Sequence, residues 1–238
     1  MASGKNNLRL GIIGLGQAGA MIIDEIRAAP DLPWTVAAGA DPRAVARERF
    51  TADFGGGAYA NAEELCARSD VDAVYIASPS WSHLEHAKIA AAHGKHIICE
   101  KPLTLSLADG IAMVEAAERA GVVLLAGHTH SFDAPIVAMT ELVNSGKIGP
   151  LRTINSWNFN EFNHRPRLIA ELTATRGPVL NQGPHHVDIV RQIGGGLVNS
   201  VRATTIPDGV TGCEGGYVCY LEFQNRVPAT LVYDGRSL

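Results

Sequence analysis

The sequence predicts an α/β protein in which a doubly wound parallel sheet is followed by an α+β domain with a largely antiparallel sheet. Strand and helix patterns alternate through the first half of the chain, as they do in parallel sheets. After Gly127 the strand patterns follow one another with few helices between them, which favours antiparallel pairing. We therefore predict two domains, residues 1–127 and residues 128–238.

The first half begins with a strand pattern at Leu8 that ends at a glycine-rich turn. A second strand, 34–40, ends at Asp41. Pro42 is expected to open a helix that runs to Asp53, because proline suits the first helical position. The later predicted elements are a short helix capped by Asn61, a strand at 71–77, a helix from Ser82 to Ala92, a strand at 96–99, a helix at 107–120 capped by Ser106 and a strand at 122–126.

The second half is predicted to combine one sheet with a few helices. The helices are expected at 135–144 and 183–193, and the strands at 151–159, 200–205, 217–223 and 228–233. A sheet with helices on one side leaves a broad apolar face, and such a face usually binds a partner. We therefore expect this domain to form an oligomer, as a dimer.

A Gly-x-Gly-x-x-Gly turn, made by Gly14, Gly16 and Gly19, joins the first strand to the first helix. The first glycine permits a tight turn, the second has no side chain to block a pyrophosphate, and the third lets the helix pack closely on the sheet. The helix N-terminus then holds the anion with free amides and its dipole. This context predicts a Rossmann domain that binds a dinucleotide; a glycine-rich structural turn is the alternative.

Two residues after the second strand bear on which dinucleotide binds. Asp41 lies about twenty residues after the turn, where a carboxylate accepts hydrogen bonds from the adenosine ribose. The same carboxylate repels a 2′-phosphate, which favours NAD over NADP. Arg43 is the counter-argument, because its guanidinium can pair with that phosphate, and NADP is therefore the alternative cofactor.

Composition and charge argue against several classes of protein. The formal net charge is −4 and Lys and Arg form no run, so we expect no nucleic-acid partner. The chain has no apolar stretch long enough for a membrane span, and its N-terminus lacks the apolar core of a secretory signal. The 4 cysteines show no Cys-x-x-Cys spacing, so we expect reduced thiols in a cytoplasmic protein.

Two loops follow strands at the carboxyl edge of the parallel sheet, where open α/β sheets bind their ligands. The first contains Ser78, Pro79 and His83, the second contains Glu100 and Lys101, and we expect both to contact the cofactor. A lysine beside a nicotinamide can polarise an oxygen, or move a proton if burial lowers its pKa. A loop lysine is more often solvated, so the pattern alone makes Lys101 only a candidate catalytic residue.

In the second domain, Asn181, His185 and Asp188 stand near a predicted strand-to-helix transition. The last two lie three residues apart and so share a helix face. Histidine is suited to take an alcohol proton while hydride leaves the same carbon, because its unperturbed pKa is close to neutral. A packed or helix-capping histidine is the alternative, and the pattern alone does not separate the two.

These motifs resemble the glucose-fructose oxidoreductase and inositol dehydrogenase (Gfo/Idh/MocA) family of NAD(P)-dependent enzymes. The resemblance runs from Leu8 to about Tyr233, and its specific segments are VDAVYIASP at 71–79 and GKHIICEKP at 94–102. It implies that Lys101, in the family's Glu-Lys-Pro signature, is the catalytic lysine of a dehydrogenase with a small-molecule substrate.

The family's Asp-x-Gly-x-His-x-x-Asp segment falls on Asn181, Gly183, His185 and Asp188. The resemblance implies that His185 transfers the proton and that Lys101 acts with it over the nicotinamide. The chain departs from the family at Asn181, where Asp is common. Asparagine can hydrogen-bond a substrate hydroxyl, but it supplies no negative charge to stabilise an imidazolium. His185 and Lys101 must therefore do more of the work.

Within the family, the chain is most similar to phthalate 4,5-dihydrodiol dehydrogenases, which oxidise a cis-dihydrodiol carrying two ring carboxylates. This likeness makes His128, His130 and Asn181 candidate substrate-binding residues. Arg165 and Arg167 are candidates for the dicarboxylate, because a guanidinium pairs bidentately with a carboxylate. The alternative is that both arginines are surface residues around a proline. The family transfers hydride without a metal, so we predict no metal site.

Two further functions compete with a dihydrodiol dehydrogenase. A sugar or cyclitol dehydrogenase would need several neutral hydroxyl contacts rather than paired arginines. A non-catalytic dinucleotide-binding protein would agree with Asn181 and the short C-terminus, but the presence of both Lys101 and His185 argues against it. Relatives continue beyond the end of this chain, so we expect either a naturally short protein or a fragment. In both cases the second sheet is expected to be shortened and to expose an edge.

Overall fold

The computed structural model of the chain describes residues 7–164, 173–194, 196–209 and 212–237. Its backbone divides into two units, Met1–Gly127 and His128–Leu238. Within the described ranges, each unit has a β-sheet of its own.

The sheet of the first unit is parallel throughout. Its strands are β1 (Leu8–Ile13), β2 (Trp34–Ala40), β3 (Gly57–Tyr59), β4 (Ala73–Ile76), β5 (His96–Cys99) and β6 (Leu124–Ala126). In this described part of the chain they form a 6-stranded sheet of order β3-β2-β1-β4-β5-β6, and each neighbouring pair is parallel. The order reverses between β1 and β4, so the carboxyl ends of these two strands lie where such sheets bind ligands.

Helices cover both faces of this sheet. They are α1 (Gln17–Ala28), α2 (Ala44–Phe54), α3 (Ala62–Cys66), α4 (His83–Ala92) and α5 (Leu107–Ala120). Alternate residues of a strand point to opposite faces. Accordingly, Val74 of β4 is buried with Leu65 and Met113 from α3 and α5, whereas Tyr75 is buried with Phe50 from α2. This arrangement confirms the predicted doubly wound sheet.

The two predicted helix caps of the first unit are confirmed. The Asn61 side chain accepts a hydrogen bond from the Glu64 N–H at the start of α3. The Ser106 hydroxyl accepts one from the Asp109 N–H at the start of α5. Each cap satisfies an amide that the helix leaves without a backbone partner, which stabilises the helix by about 1 kcal/mol.

The segment after β2 differs from the prediction. Pro42 does not open the helix: α2 begins at Ala44, and Arg43 is its N-cap residue with extended backbone angles. The Asp41 carboxylate accepts the backbone N–H of Arg43, which holds this short connection out of the helix. The strand β3 was not predicted either, because the Gly55–Gly57 run indicates a break rather than a strand.

The second unit contains a mixed sheet. Its strands are β7 (Ile154–Phe159), β8 (Val198–Pro207), β9 (Glu214–Phe223) and β10 (Pro228–Asp234), and its helices among the described residues include α6 (Ala134–Asn144), α7 (Pro178–Asn181) and α8 (Gly183–Gly194). The described strands pair in the order β7-β10-β9-β8. Pairs β8–β9 and β9–β10 are antiparallel, whereas β10 runs parallel to β7. The predicted largely antiparallel sheet is confirmed, with one parallel pair.

One face of this sheet forms a core with α8. Val190 of α8 is fully buried together with Leu221, Phe223 and Leu231 from the sheet. Their buried apolar surface is the main stabilising contribution of this unit, at about 1.5–3 kcal/mol for each large side chain.

The opposite face of the sheet carries exposed apolar side chains among the described residues. The strand register places Trp157, Val232, Val218 and Thr204 side by side on this face, in one row across all four strands. Trp157 is 68% exposed. We call this surface the open sheet face.

Within the part of the chain that the structure describes, every helix is too short or too polar to cross a membrane.

Candidate functional site

The glycine turn after β1 is shaped by two close backbone approaches. Gly14 has φ +97°, and a Cβ placed there would lie 2.7 Å from the Ala77 carbonyl group. A Cβ at Gly19 would lie only 2.1 Å from the Gly14 carbonyl oxygen. Both positions therefore require glycine, because a side chain would meet backbone that cannot move aside.

Gly16 differs from the other two glycines, since a Cβ built there meets no atom within 4 Å in the described structure. It is the N-cap residue of α1 and, lacking a side chain, makes no side-chain cap. The N-terminus of α1 therefore has no side-chain cap, and position 16 places no side chain in front of it. Free amides and the helix dipole favour an anion there, so the turn fits the pyrophosphate of a dinucleotide.

Asp41 follows β2 at the same edge, and its carboxylate is fully engaged within the protein. One oxygen accepts from the Arg43 backbone N–H and from Arg43 Nε, each at 2.9 Å. The other accepts from the Leu15 N–H at 3.0 Å and from Arg43 Nη2 at 2.9 Å. Burial alone would raise the pKa of Asp41, but these hydrogen bonds and the guanidinium charge lower it below its ordinary value. The Arg43 guanidinium therefore occupies both oxygens of the Asp41 carboxylate.

In the loop after β4, the Ser78 hydroxyl is hydrogen-bonded to His86 Nδ1 at 2.8 Å, and Pro79 precedes a short 3₁₀ turn. His83 begins α4 and is only 1% exposed. Its Nε2 lies 2.8 Å from the Ser78 carbonyl oxygen, and its Nδ1 lies 3.0 Å from the Pro102 carbonyl oxygen. The ring therefore bridges the loops after β4 and β5.

The loop after β5 carries Glu100, Lys101 and Pro102, and the peptide bond between the last two is cis. The Glu100 side chain accepts a hydrogen bond from the Tyr75 hydroxyl and another from the Lys101 backbone N–H, the latter at 3.1 Å. Burial, together with the Glu100 charge, raises the pKa of Tyr75. The phenol is therefore a neutral donor. Lys101 is half-buried.

In the second unit, the structure brings three predicted histidines together. His185 lies on α8, and its ring centre is 4.6 Å from that of His130 and 6.3 Å from that of His128. His130 Nδ1 is 2.9 Å from an Asp133 oxygen. We call His128, His130 and His185 the histidine cluster.

Asp188 links the histidine cluster to α8. It lies three residues after His185 and accepts a hydrogen bond from the Ser131 hydroxyl. Its other oxygen is 3.9 Å from His128 Nδ1. Ser131 is buried, and sequence reasoning missed it because an isolated serine between His130 and Phe132 carries no pattern. The sequence did contain a signal for Asp188, namely its three-residue spacing from His185.

His186, the neighbour of His185, belongs to the core of the second unit. Its two ring nitrogens lie 2.9 Å from the Tyr217 hydroxyl and 2.6 Å from the Ser156 hydroxyl. Burial lowers the pKa of His186, which favours the neutral ring. His186 is therefore a packed core histidine.

Asn181 is the last residue of α7 and is 2% exposed. Its side-chain oxygen accepts a hydrogen bond from Gln182 Nε2 at 2.8 Å. The expected strand-to-helix transition is wrong: α7 leads through Gln182 directly into α8, because Pro178 opens a short helix there. Arg165 and Arg167 lie outside the described residues.

Among the residues that the structure describes, His, Cys, Asp and Glu side chains form no group of three that could hold a metal ion. The chemistry available at the described residues is that of an anion-binding helix end, a lysine after β5 and a histidine cluster with a nearby carboxylate.

Comparison with known proteins identifies the family. Residues 8–128 match the GFO_IDH_MocA oxidoreductase family, which has an NAD-binding Rossmann fold. Residues 136–236 match the GFO/IDH/MocA C-terminal domain. The chain therefore belongs to the Gfo/Idh/MocA family, and the resemblance seen in its motifs is confirmed.

Individual relatives support the same assignment. The 1-carboxy-3-chloro-3,4-dihydroxycyclo hexa-1,5-diene dehydrogenase of Comamonas testosteroni is 37% identical over 96% of this chain and 58% of its own length. The myo-inositol 2-dehydrogenase of Thermotoga maritima is 30% identical over 82% of this chain and 58% of its own length. A solved protein of Bordetella bronchiseptica RB50, described as a candidate dehydrogenase, is 38% identical with a TM-score of 0.90, over 96% of this chain and 61% of that chain. The chain thus spans 58–61% of the length of these three proteins.

The close approach at Gly19 predicts a specific loss of stability. Gly19→Ala places a Cβ 2.1 Å from backbone, which should destabilise the first unit by about 1–3 kcal/mol. Urea unfolding followed by circular dichroism measures this change. Gly16→Ala is the matched control and should change stability by less than about 0.5 kcal/mol, because its Cβ enters open space. Equal unfolding midpoints for the two variants would contradict the described turn.

Proposed function

We propose that this chain provides the cofactor-binding and proton-transfer residues of an NAD-dependent dehydrogenase that oxidises a ring alcohol. The proposed substrate is a cyclic cis-dihydrodiol that carries ring carboxylates. The observation that carries this proposal is the histidine cluster with Asp188, in a chain whose other unit presents an open helix N-terminus after a glycine turn. A protein that only binds a dinucleotide would have no need for such a cluster.

The chemistry assigns different roles to His185 and Lys101. When bound, the nicotinamide ring is the hydride acceptor. As the C–H electron pair leaves the carbinol carbon, the hydroxyl proton must also leave, and His185 takes it as general base. Lys101, as a cation, stabilises the negative charge that develops on the substrate oxygen.

Asp188 supports this proposal because Asn181 supplies no charge. A protonated His185 needs a nearby negative group, and Asp188 lies one helical turn further along α8. It also contacts the segment that carries His128 and His130, through Ser131. We propose that Asn181, His128 and His130 form hydrogen bonds with the substrate hydroxyls.

The substrate class is inferred from the relatives. The Comamonas testosteroni relative is named for a ring with two hydroxyls and a carboxyl group. Arg165 and Arg167 remain the proposed partners of substrate carboxylates. The Thermotoga maritima relative, a myo-inositol 2-dehydrogenase, favours the second candidate function, a sugar or cyclitol dehydrogenase.

We propose NAD as the preferred cofactor. The glycines at 14, 16 and 19 approach its pyrophosphate, and Asp41 accepts from its ribose. The Arg43 guanidinium already bonds both oxygens of the Asp41 carboxylate. A ribose hydroxyl must therefore share that carboxylate with the guanidinium or displace the guanidinium from it. A 2′-phosphate would pair with Arg43 but would also approach the Asp41 charge.

The wild-type chain should bind NAD with a lower Kd than NADP. Arg43→Ala should raise the Kd for NADP about ten- to a hundredfold, because a charge-assisted pair is lost. The Kd for NAD should stay the same or fall, because Asp41 remains in place and the guanidinium that occupies it is gone. Titration calorimetry measures both constants. Arg49→Ala, which changes an exposed arginine on the helix that follows Arg43, is the control. Equal or tighter NADP binding by the wild type would contradict the proposal.

The proposed activity is tested with the purified chain, NAD and a substrate panel, followed at the nicotinamide absorbance. The panel contains the cis-4,5-dihydrodiol of phthalate, a dihydrodiol without carboxylates and myo-inositol. His185→Ala should lower kcat about 10²–10⁴-fold and leave NAD affinity nearly unchanged. Lys101→Met should also lower kcat, and the double variant should lose less than the product of the two effects.

The control for these variants is His93→Ala, which removes a surface histidine that pairs with Glu63. It should leave kcat within about twofold of the wild type. Near-normal turnover of His185→Ala would refute its role as general base. Oxidation of myo-inositol alone would favour the cyclitol function over the dihydrodiol function.

We also propose that the chain forms a dimer through the open sheet face. Exposed aromatic residues in a contiguous apolar patch mark association surfaces in soluble proteins. Trp157 and Phe159 are exposed on the same face, together with Tyr220 on β9.

Light scattering at micromolar concentration should give the mass of a dimer for the wild type. Trp157→Asp should give a monomer, because it buries a charge in an apolar interface. Leu107→Asp changes an exposed leucine of α5, in the first unit, and should leave the dimer intact. A monomeric wild type would rule out the proposed interface.

A further inference from the structure

We propose that Tyr75 and His83 are positioning residues that hold the Glu100–Lys101–Pro102 loop from two sides and thereby fix the place of Lys101. The proposal rests on the proposed function, in which Lys101 acts on the substrate oxygen. Tyr75 holds the residue before Lys101, and His83 holds the residue after it. The two anchors belong to different elements, β4 and α4, so the loop is tied to both.

The first anchor is the buried Tyr75 phenol. It donates a hydrogen bond to one oxygen of Glu100, while the other oxygen accepts the Lys101 backbone N–H at 3.1 Å. The Glu100 carboxylate therefore connects the core side chain to the main chain of Lys101. Burial and the Glu100 charge both raise the pKa of Tyr75, so the phenol keeps the proton that this contact requires.

The second anchor is the His83 imidazole, which is 1% exposed. Its Nδ1 faces the Pro102 carbonyl oxygen at 3.0 Å, and its Nε2 faces the Ser78 carbonyl oxygen at 2.8 Å. Carbonyl oxygens only accept, so each neutral tautomer donates to one of the two loops and the protonated ring donates to both. His83 thus acts on Lys101 through the main chain of Pro102, although its position in the sequence indicated a cofactor contact.

Fixing the main chain matters because the lysine side chain is long and flexible. The direction in which it leaves the loop sets where its ammonium group can reach, and a misplacement of about 1 Å can cost about 10²-fold in rate. The Glu100 backbone N–H also donates to the Ile76 carbonyl oxygen at 2.9 Å. With the loop main chain held at Glu100 and at Pro102, the point and direction from which the Lys101 side chain leaves the loop are set.

The decisive variant is Tyr75→Phe, which removes one hydroxyl and keeps the ring in the core. Two measurements on the purified full chain test it. Hydrogen exchange followed by mass spectrometry should show about tenfold faster exchange in the peptide that contains Lys101. Steady-state kinetics with NAD and the cis-4,5-dihydrodiol of phthalate should show kcat lowered about ten- to a hundredfold, with KM for NAD within about twofold of the wild type.

A double-mutant cycle shows whether Tyr75 acts through the lysine. In a Lys101→Met background, adding Tyr75→Phe should cause no further loss of kcat. An equal loss in both backgrounds would overturn the proposal, and so would unchanged exchange around Lys101. If Lys101→Met itself kept normal turnover, the proposed function would fail, whereas the exchange result would still decide whether Tyr75 anchors the loop.

The matched control is Tyr59→Phe, which removes a hydroxyl elsewhere in the first unit, where it contacts Arg68. It should leave exchange around Lys101 and kcat unchanged. His83→Gln tests the second anchor and should change both measurements in the same direction as Tyr75→Phe. Because His83 is fully buried, His83→Gln is compared with the wild type only after its unfolding midpoint shows that it folds. The outcome for Tyr75→Phe is by itself sufficient to decide the proposal.

Discussion

The hydrogen-bond ladder of the first sheet continues one residue beyond the ends of β4, β5 and β6, and the candidate cofactor residues depend on this continuation. The Ala77 N–H donates to the Ile13 carbonyl, the Glu100 N–H to Ile76, and the Gly127 N–H to Cys99, at 2.7–2.9 Å. The loops after β4, β5 and β6 therefore begin as extensions of the sheet. Because these bonds use only backbone groups, they satisfy the main chain at this edge without using its side chains.

In the second unit, helical periodicity separates two adjacent histidines. His186 and Val190 lie four residues apart on the face of α8 that packs against the sheet, and both are buried. His185 and Asp188 lie on another face, where the segment with His128 and His130 meets the helix. One turn of helix thus contributes both a core contact and the candidate proton-transfer group.

Much of the fold could be predicted from local patterns. β4 is a continuous apolar run, β1 and β5 are largely apolar, and Asn61 and Ser106 are residues with a known capping preference. The short β3 could not be predicted, because a three-residue strand after a glycine run exists only through pairing with β2. Such pairing is a tertiary contact that a local pattern does not contain.

Some residues of the candidate site could also be predicted from local patterns, and others could not. Glycine spacing and the Glu-Lys-Pro segment mark their positions because the backbone itself must take a special form there. The Tyr75 phenol carried no signal, since an aromatic residue in an apolar strand indicates only a core position. The contacts of His83 were likewise hidden, because both of its acceptors are main-chain oxygens, which any residue supplies.

The contact between Arg43 and Asp41 means that this chain carries an internal competitor for the carboxylate that we propose as the ribose ligand. The competitor is tethered two residues away, so its effective concentration is set by the chain and does not change with dilution. Arg43 is largely exposed, so dissolved salt weakens the pair by screening. Ionic strength would thus change nucleotide binding in two ways: by weakening the Arg43–Asp41 pair within the protein and by screening the charges of the nucleotide.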